Sequence, residues 1–330
     1  MHKASGLTEI SEKRLKQNNF DLLRFAFAFV VFLVHAYVLT GHQDIAILGA
    51  LLSADISVKA FFVVSGFLIF MSYENSSDIR SYFSKRIRRI YPAYALIVLI
   101  CAVSGVLIGT DLWQDYFSFH FLKYVAANLV FLNFLQPTLP CVFENNPMPA
   151  VNGALWTLKI EAMFYLLVPL VVTGFRKYGR LRVLIILTIW SVAYSAVMGS
   201  LASKTGGTLY LELQRQLPGQ LVYFLVGAAG YYYFPLFAKN AQWLLLLALA
   251  AFILKAWLPW EILLPFALGI VVIYFACIAP FAGNFGKYGD FSYGIYIVHF
   301  PILQLLIAYG MFDRQPWLML LVATLLVLTT

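Results

Sequence analysis

The chain of 330 residues is 62% hydrophobic and only 12% charged, with a strongly positive mean hydropathy. A soluble domain carries roughly a quarter charged residues, so one aqueous core is excluded and lipid must be the second solvent. The formal net charge of +8 does not point to nucleic acid, because the basic residues gather in a few short loops, as they do in the cytoplasmic loops of multi-pass proteins.

The opening residues, MHKASGLTEISEKRLKQNN, are polar and carry Lys3, Lys13, Arg14 and Lys16. They are polar for too long, and the following apolar run is too extended, for a cleaved signal peptide. Residues 1–19 therefore read as a cytoplasmic segment ahead of a retained first span at 20–40. Further apolar runs fall at 54–73, 90–109, 153–173, 182–200, 216–234, 242–258, 262–281, 291–311 and 316–330. Runs of about 20 residues fit helices and are too long for barrel strands. The expectation is an all-α polytopic membrane domain over 20–330 with about ten crossings. Cys101, Cys141 and Cys277 show no paired spacing, so neither a disulfide framework nor a metal site is expected.

Sidedness follows from the loops. Besides the N-terminal segment, 74–90 carries Arg80, Lys85, Arg86, Arg88 and Arg89, and 174–182 carries Arg176, Lys177, Arg180 and Arg182. These should be cytoplasmic. The stretches 41–53, 110–120 and 137–152 hold no Lys or Arg and should face outward. The third span then leaves outward near 109 while 153–173 must run inward, so 111–136 cannot cross once. It reads as a re-entrant or interfacial segment, tolerated where protein or a wet cavity buries its backbone. An even number of crossings places both termini in the cytoplasm. The last run reaches Thr330 without a polar tail, which points to a truncated sequence.

A charge at mid-bilayer costs about 2.5–3.5 kcal/mol, so each intramembrane ionisable group needs a reason. Arg24 and His35 are 11 residues apart in the first span, which at 100° per residue leaves about 20° of offset and about 16 Å along the axis. Asp21 lies one turn before Arg24, and His42, seven after His35, extends the stripe outward. Interfacial anchoring by Arg24 and Asp21, with His35 as a helix–helix hydrogen-bonder, is the plainer alternative. Glu161 stands within NGALWTLKIEAMFYLLVP, with Trp156 and Tyr165 near it in angle and Lys159 on another face. Tyr293, Tyr296 and His299 recur every third residue in SYGIYIVHFPILQ, a pattern that packing aromatics also explain. In KRIRRIYPAY, Arg86 and Arg89 could project together at a helix start and receive phosphates, or the cluster could only set topology.

Taken in order, Arg-x10-His, VKAFFVVSGFLIF, KRIRRIYPAY, NGALWTLKIEAMFYLLVP and FSYGIYIVHFP resemble the acyltransferase 3 family of bacterial membrane O-acyltransferases. The resemblance covers residues 18 to about 310. It implies a ten-span core in the bacterial inner membrane, acetyl-CoA as cytoplasmic donor, and a glycan or lipid-linked sugar acceptor on the outer side. The acceptor polymer would be O-antigen, capsule or exopolysaccharide, with polysaccharide assembly proteins as partners. It also implies Arg24, His35 and Glu161 as catalytic residues, and Arg86 and Arg89, with Tyr91 and Tyr94 of the same motif, as donor-binding ones. No SGNH-type esterase domain is recognised, so transfer would finish within the membrane domain.

On this reading His35 is general base or acyl acceptor, Arg24 stabilises the thioester oxyanion or orients the pantetheine arm, and Glu161 holds an imidazole in one tautomer or relays its proton. His42, Trp156, Tyr296 and His299 are weaker candidates for the acceptor side. The rival reading is a transporter or flippase for a glycan or small polar solute, since carriers also keep ionisable groups at the midplane. No inverted repeat supports it, and a carrier has no evident use for the Arg cluster.

Overall fold

The computed structural model describes residues 14–108, 113–289 and 291–329. Lys3 and Lys13 of the basic N-terminal segment, part of the 110–120 loop and Thr330 lie outside the described residues. The helices, in chain order, are α1 (Phe20–Thr40), α2 (Ala46–Leu51), α3 (Ala54–Glu74), α4 (Ile79–Ser104), α5 (Trp113–Tyr116), α6 (Phe119–Leu129) and α7 (Trp156–Tyr178). They continue with α8 (Arg180–Thr205), α9 (Thr208–Gln214), α10 (Leu217–Tyr232), α11 (Phe234–Ile253), α12 (Trp260–Cys277), α13 (Phe291–Ala308) and α14 (Pro316–Thr329). The described residues form no strand.

Each of the ten apolar runs lies on a helix, and eight of these are long and apolar enough to cross a membrane. α10 and α14 are shorter, at 16 and 14 residues. Such runs become helices because a helix satisfies its backbone within the segment, which lipid demands. The described residues of 111–136 form no crossing helix: α6 has 11 residues, about 16 Å at 1.5 Å per residue, and irregular chain follows.

Prolines stand inside several helices, and at two of them a side chain replaces the missing bond. Pro169 in α7 leaves the Tyr165 carbonyl without its backbone donor, and the Tyr82 hydroxyl donates to that oxygen at 3.1 Å. Pro301 in α13 does the same to Ile297, and Asn152 Nδ2 donates to that carbonyl at 2.8 Å. A buried acceptor left bare costs about 1–3 kcal/mol, so these substitutes hold the helices and the chain beside them together.

The contacts divide the chain into two compact units. The first comprises 1–24, 58–83 and 160–287. In it α10 packs on α8, α9 and α12, and α11 on α12. α3 crosses α10 at glycines: a Cβ on Gly66 would fall 1.9 Å from the Phe224 carbonyl oxygen, and one on Gly227 2.0 Å from that of Val63. Small residues let backbones approach this closely, as in membrane helix pairs generally. Asn19 anchors the start of α1, its Nδ2 donating to the carbonyls of Phe275 and Pro280 and its Oδ1 accepting from the amide of Ala282.

The second unit comprises 25–57, 84–159 and 288–330. α13 packs on α14 and on the 3-10 turn Gly153–Leu155. The loop at 137–152, irregular and apolar-flanked, is clasped to α13 by amides. Fully buried Gln304 accepts from Asn146 Nδ2 at 2.9 Å and donates to the Ala150 carbonyl at 2.7 Å. α4 is fixed by Tyr94, whose hydroxyl donates to the Asn128 carbonyl at 2.6 Å and whose ring stacks on Phe131 at 4.3 Å.

Candidate active site

α1 runs unbroken through Asp21, Arg24 and His35, so their placement along one stripe follows from helix geometry. Arg24 Nη1 lies 3.8 Å from Asp21 Oδ1, and the arginine side chain is only 12% exposed. His42 does not extend the stripe. The helix ends at Thr40, and Gly41 turns the chain with φ +64°, donating to the Tyr37 carbonyl at 2.8 Å. His42 is then extended, with Nδ1 3.7 Å from Asp44 Oδ2. A glycine just past an apolar run is the usual helix stop, and it breaks the expected alignment here.

His35 and His299, separate expectations in the sequence, meet. His35 Nδ1 is 2.8 Å from His299 Nε2, and the rings stack at 5.1 Å with 21° between their planes. His299 has no exposed surface, while His35 is half-buried. Phe300 stands edge-on to His35 at 5.6 Å, and Phe32 edge-on to His299 at 6.3 Å. α13 brings His299 to this point while its tyrosines are engaged elsewhere. The Tyr296 hydroxyl is 2.6 Å from Thr157 Oγ1, and that of Tyr293 donates to the Ile90 carbonyl at 2.8 Å. Both tyrosines therefore tie α13 to neighbouring chain.

Glu161 is part of the first unit. Its Oε1 accepts from the Tyr165 hydroxyl at 2.7 Å and from Ser65 Oγ at 3.5 Å. Tyr165, one turn further along α7, was near it in angle from the sequence; Ser65 gave no signal beyond being a small polar residue in an apolar run. The Nδ1 of His35 is thus engaged by His299, whereas Glu161 accepts from the hydroxyls of Tyr165 and Ser65. Trp156 opens α7 and is half-buried. Lys159 lies over the Phe134 ring at 4.3 Å.

The basic motif is placed differently from the expectation of a helix start. α4 begins at Ile79, so Arg86 and Arg89 stand two to three turns inside it, where N-terminal amides are already bonded. They still share a face, at three residues' separation. Arg89 and Tyr91 are exposed and Arg86 is half-buried. Tyr94 is fully buried, with its hydroxyl on Asn128, so it supports the helix that carries the two guanidiniums.

Comparison with known proteins bears on this arrangement as a whole. A family model described as an acyltransferase domain, acyltransferase 3, matches residues 17–330. The chain is 25% identical over 323 residues to the O-acetyl transferase of Shigella phage Sf6, covering 95% of this chain and 93% of that one. It is 35% identical over 179 residues to nodulation protein 10 of Rhizobium leguminosarum bv. viciae, covering 52% of this chain and 48% of the relative. It is 30% identical over 168 residues to the putative peptidoglycan O-acetyltransferase YrhL of Bacillus subtilis, covering 46% of this chain and 25% of the relative. The matched region thus spans about half of the nodulation protein, a quarter of YrhL and nearly all of the phage enzyme. No solved structure matches the chain. With its apolar helices and a family match over nearly its whole length, the chain belongs to the acyltransferase 3 family and is a multi-pass membrane acyltransferase.

Proposed function

We propose that the protein transfers an acetyl group from acetyl-CoA, met on the cytoplasmic side, to a hydroxyl of a bacterial surface glycan or exopolysaccharide presented on the outer side of the inner membrane. The observation that carries this reading is His35: an imidazole inside an apolar helix, half-buried, with one nitrogen bonded to a second histidine at 2.8 Å. Such a group is expensive to keep in a span and suited to proton transfer or nucleophilic attack.

On the direct route, His35 takes the proton of the sugar hydroxyl as that oxygen bonds the thioester carbonyl carbon; the C–S bond breaks and the proton passes to the departing sulfur. On the stepwise route, His35 bonds the acetyl carbon as the C–S bond breaks and CoA leaves as thiolate; the sugar oxygen then bonds that carbon as its C–N bond breaks, and the hydroxyl proton passes to the CoA sulfur. Arg24, restrained by Asp21, supplies positive charge toward the thioester or the pantetheine arm. Arg86 and Arg89, on one face of α4, hold donor phosphates with Tyr91 beside them, and Tyr94 keeps that helix in place. Glu161 serves as an acid within the first unit, and Trp156, Tyr296 and His42 are assigned to the acceptor side. The phage relative's printed name, an O-acetyl transferase, supports the group transferred; YrhL's name supports a glycan as the acceptor class.

The experiment is thiol release. Purified protein given acetyl-CoA and de-O-acetylated surface polysaccharide of the native cells should liberate free CoA thiol and acetylate the polymer. His35→Ala should lower the rate at least about 1,000-fold with unchanged membrane level. Retained acetylation in that variant would remove His35 from the chemistry, and absence of thiol release from the native protein would favour a carrier.

A further inference from the structure

We infer that His299 is a positioning residue that decides which nitrogen of His35 is basic, holding His35 protonated at Nδ1 and leaving the lone pair on Nε2. The inference rests on the proposal that His35 carries out the transfer.

The assignment follows from what each atom can do. His299 Nδ1 lies 3.0 Å from the carbonyl oxygen of Ile295, one turn back along α13. A carbonyl only accepts, so that nitrogen carries a proton. The other nitrogen of a neutral ring then has a lone pair and no hydrogen. It faces His35 Nδ1 at 2.8 Å, so His35 must be the donor in that bond. The remaining nitrogen of His35, Nε2, keeps its lone pair. The inverse arrangement would need His299 protonated on both nitrogens, a cation with no exposed surface packed among Phe32, Tyr296 and Phe300. Burying a charge in such surroundings is far costlier than burying a neutral ring.

The arrangement suits either chemical route. When His35 Nε2 takes a proton or bonds an acetyl carbon, positive charge spreads to Nδ1–H, and the bond to the His299 lone pair becomes charge-assisted. In a serine protease a buried carboxylate performs this orienting task, and there a mispositioned tautomer costs about 10⁴ in kcat. Here a neutral ring does so, oriented by its own helix, which suits a lipid-embedded site where a second charge would be costly to keep. His299 touches neither the donor nor the acceptor in this account. It acts through His35.

Two substitutions at this position separate orientation from packing. His299→Phe keeps a ring and removes the acceptor, whereas His299→Gln places an amide oxygen near the position of Nε2. With acetyl-CoA and de-O-acetylated polysaccharide, His299→Phe should lower kcat about 100-fold and leave KM for acetyl-CoA within about threefold. His299→Gln should recover activity to within about tenfold of the native protein, because its oxygen accepts from His35 Nδ1–H. In ¹⁵N spectra of histidine-labelled protein, the signal lost on His35→Ala should be that of a ring protonated at Nδ1. Equal activity of the Phe and native proteins, no advantage of Gln over Phe, or a His35 protonated at Nε2 would each overturn the inference. An inactive His35→Ala beside a fully active His299→Phe would sink this inference alone; an active His35→Ala would sink the proposed function itself.

Discussion

Glu161 and His35 both stand inside apolar helices, yet their partners come from different distances along the chain. The Glu161 carboxylate takes its shorter hydrogen bond, 2.7 Å, from Tyr165 on its own helix. His35 makes its 2.8 Å bond to a ring 264 residues away. A carboxylate has several lone pairs to satisfy and can do so with local hydroxyls. An imidazole that must leave one nitrogen open needs a single, directional partner on the other side. The first kind of arrangement is visible in an i,i+4 spacing; the second exists only once the helices have packed.

Glu161→Gln tests the comparison most severely. Glutamine keeps an oxygen for Tyr165 but abolishes the charge, so a purely structural carboxylate would tolerate it. If Glu161 serves the chemistry, thiol release should fall about 100-fold at unchanged protein level. A native rate would reduce Glu161 to a clip between α7 and α3. A smaller effect is expected from Arg86→Ala combined with Arg89→Ala: KM for acetyl-CoA should rise about tenfold or more, since charge-assisted bonds to phosphate are lost, while kcat changes little. An unaltered donor dependence would leave these cations with topology alone. Least of all, Tyr165→Phe should cost about 1–2 kcal/mol in thermal or denaturant stability and no more than about threefold in rate. A larger loss of rate than this would make the hydroxyl part of the reacting group and erase the contrast with His35.

What the sequence disclosed and withheld divides along the same line. Long apolar runs are local, so each one proved to be a helix, and basic loops ruled out a single crossing at 111–136 before any coordinates. The start of α4 at Ile79 escaped a search for apolar runs because RSYFSKRIRR is charged, though it is helical. The correction removes Arg86 and Arg89 from a helix terminus. Gly41 was readable as a stop, yet a stripe counted at 100° per residue ran through it to His42. The pairing of His35 with His299 had no local trace: each was legible as an anomaly, and neither spacing nor composition joins residues that far apart. The same holds for Asn152, whose importance comes from a carbonyl that Pro301 leaves bare.

That last arrangement has a consequence for the order in which the protein is built. Asn152 and Asn146 emerge from the ribosome 145 and 158 residues before their partners, Ile297 and Gln304, on α13. Until α13 has entered the bilayer, the 137–152 loop lacks the Gln304 amide that clasps it, and once it enters, the bare carbonyl of Ile297 meets Asn152. Loop and helix therefore mature in one late step, the step that also delivers His299 to His35. An immature chain has no finished dyad until α13 has been made and inserted.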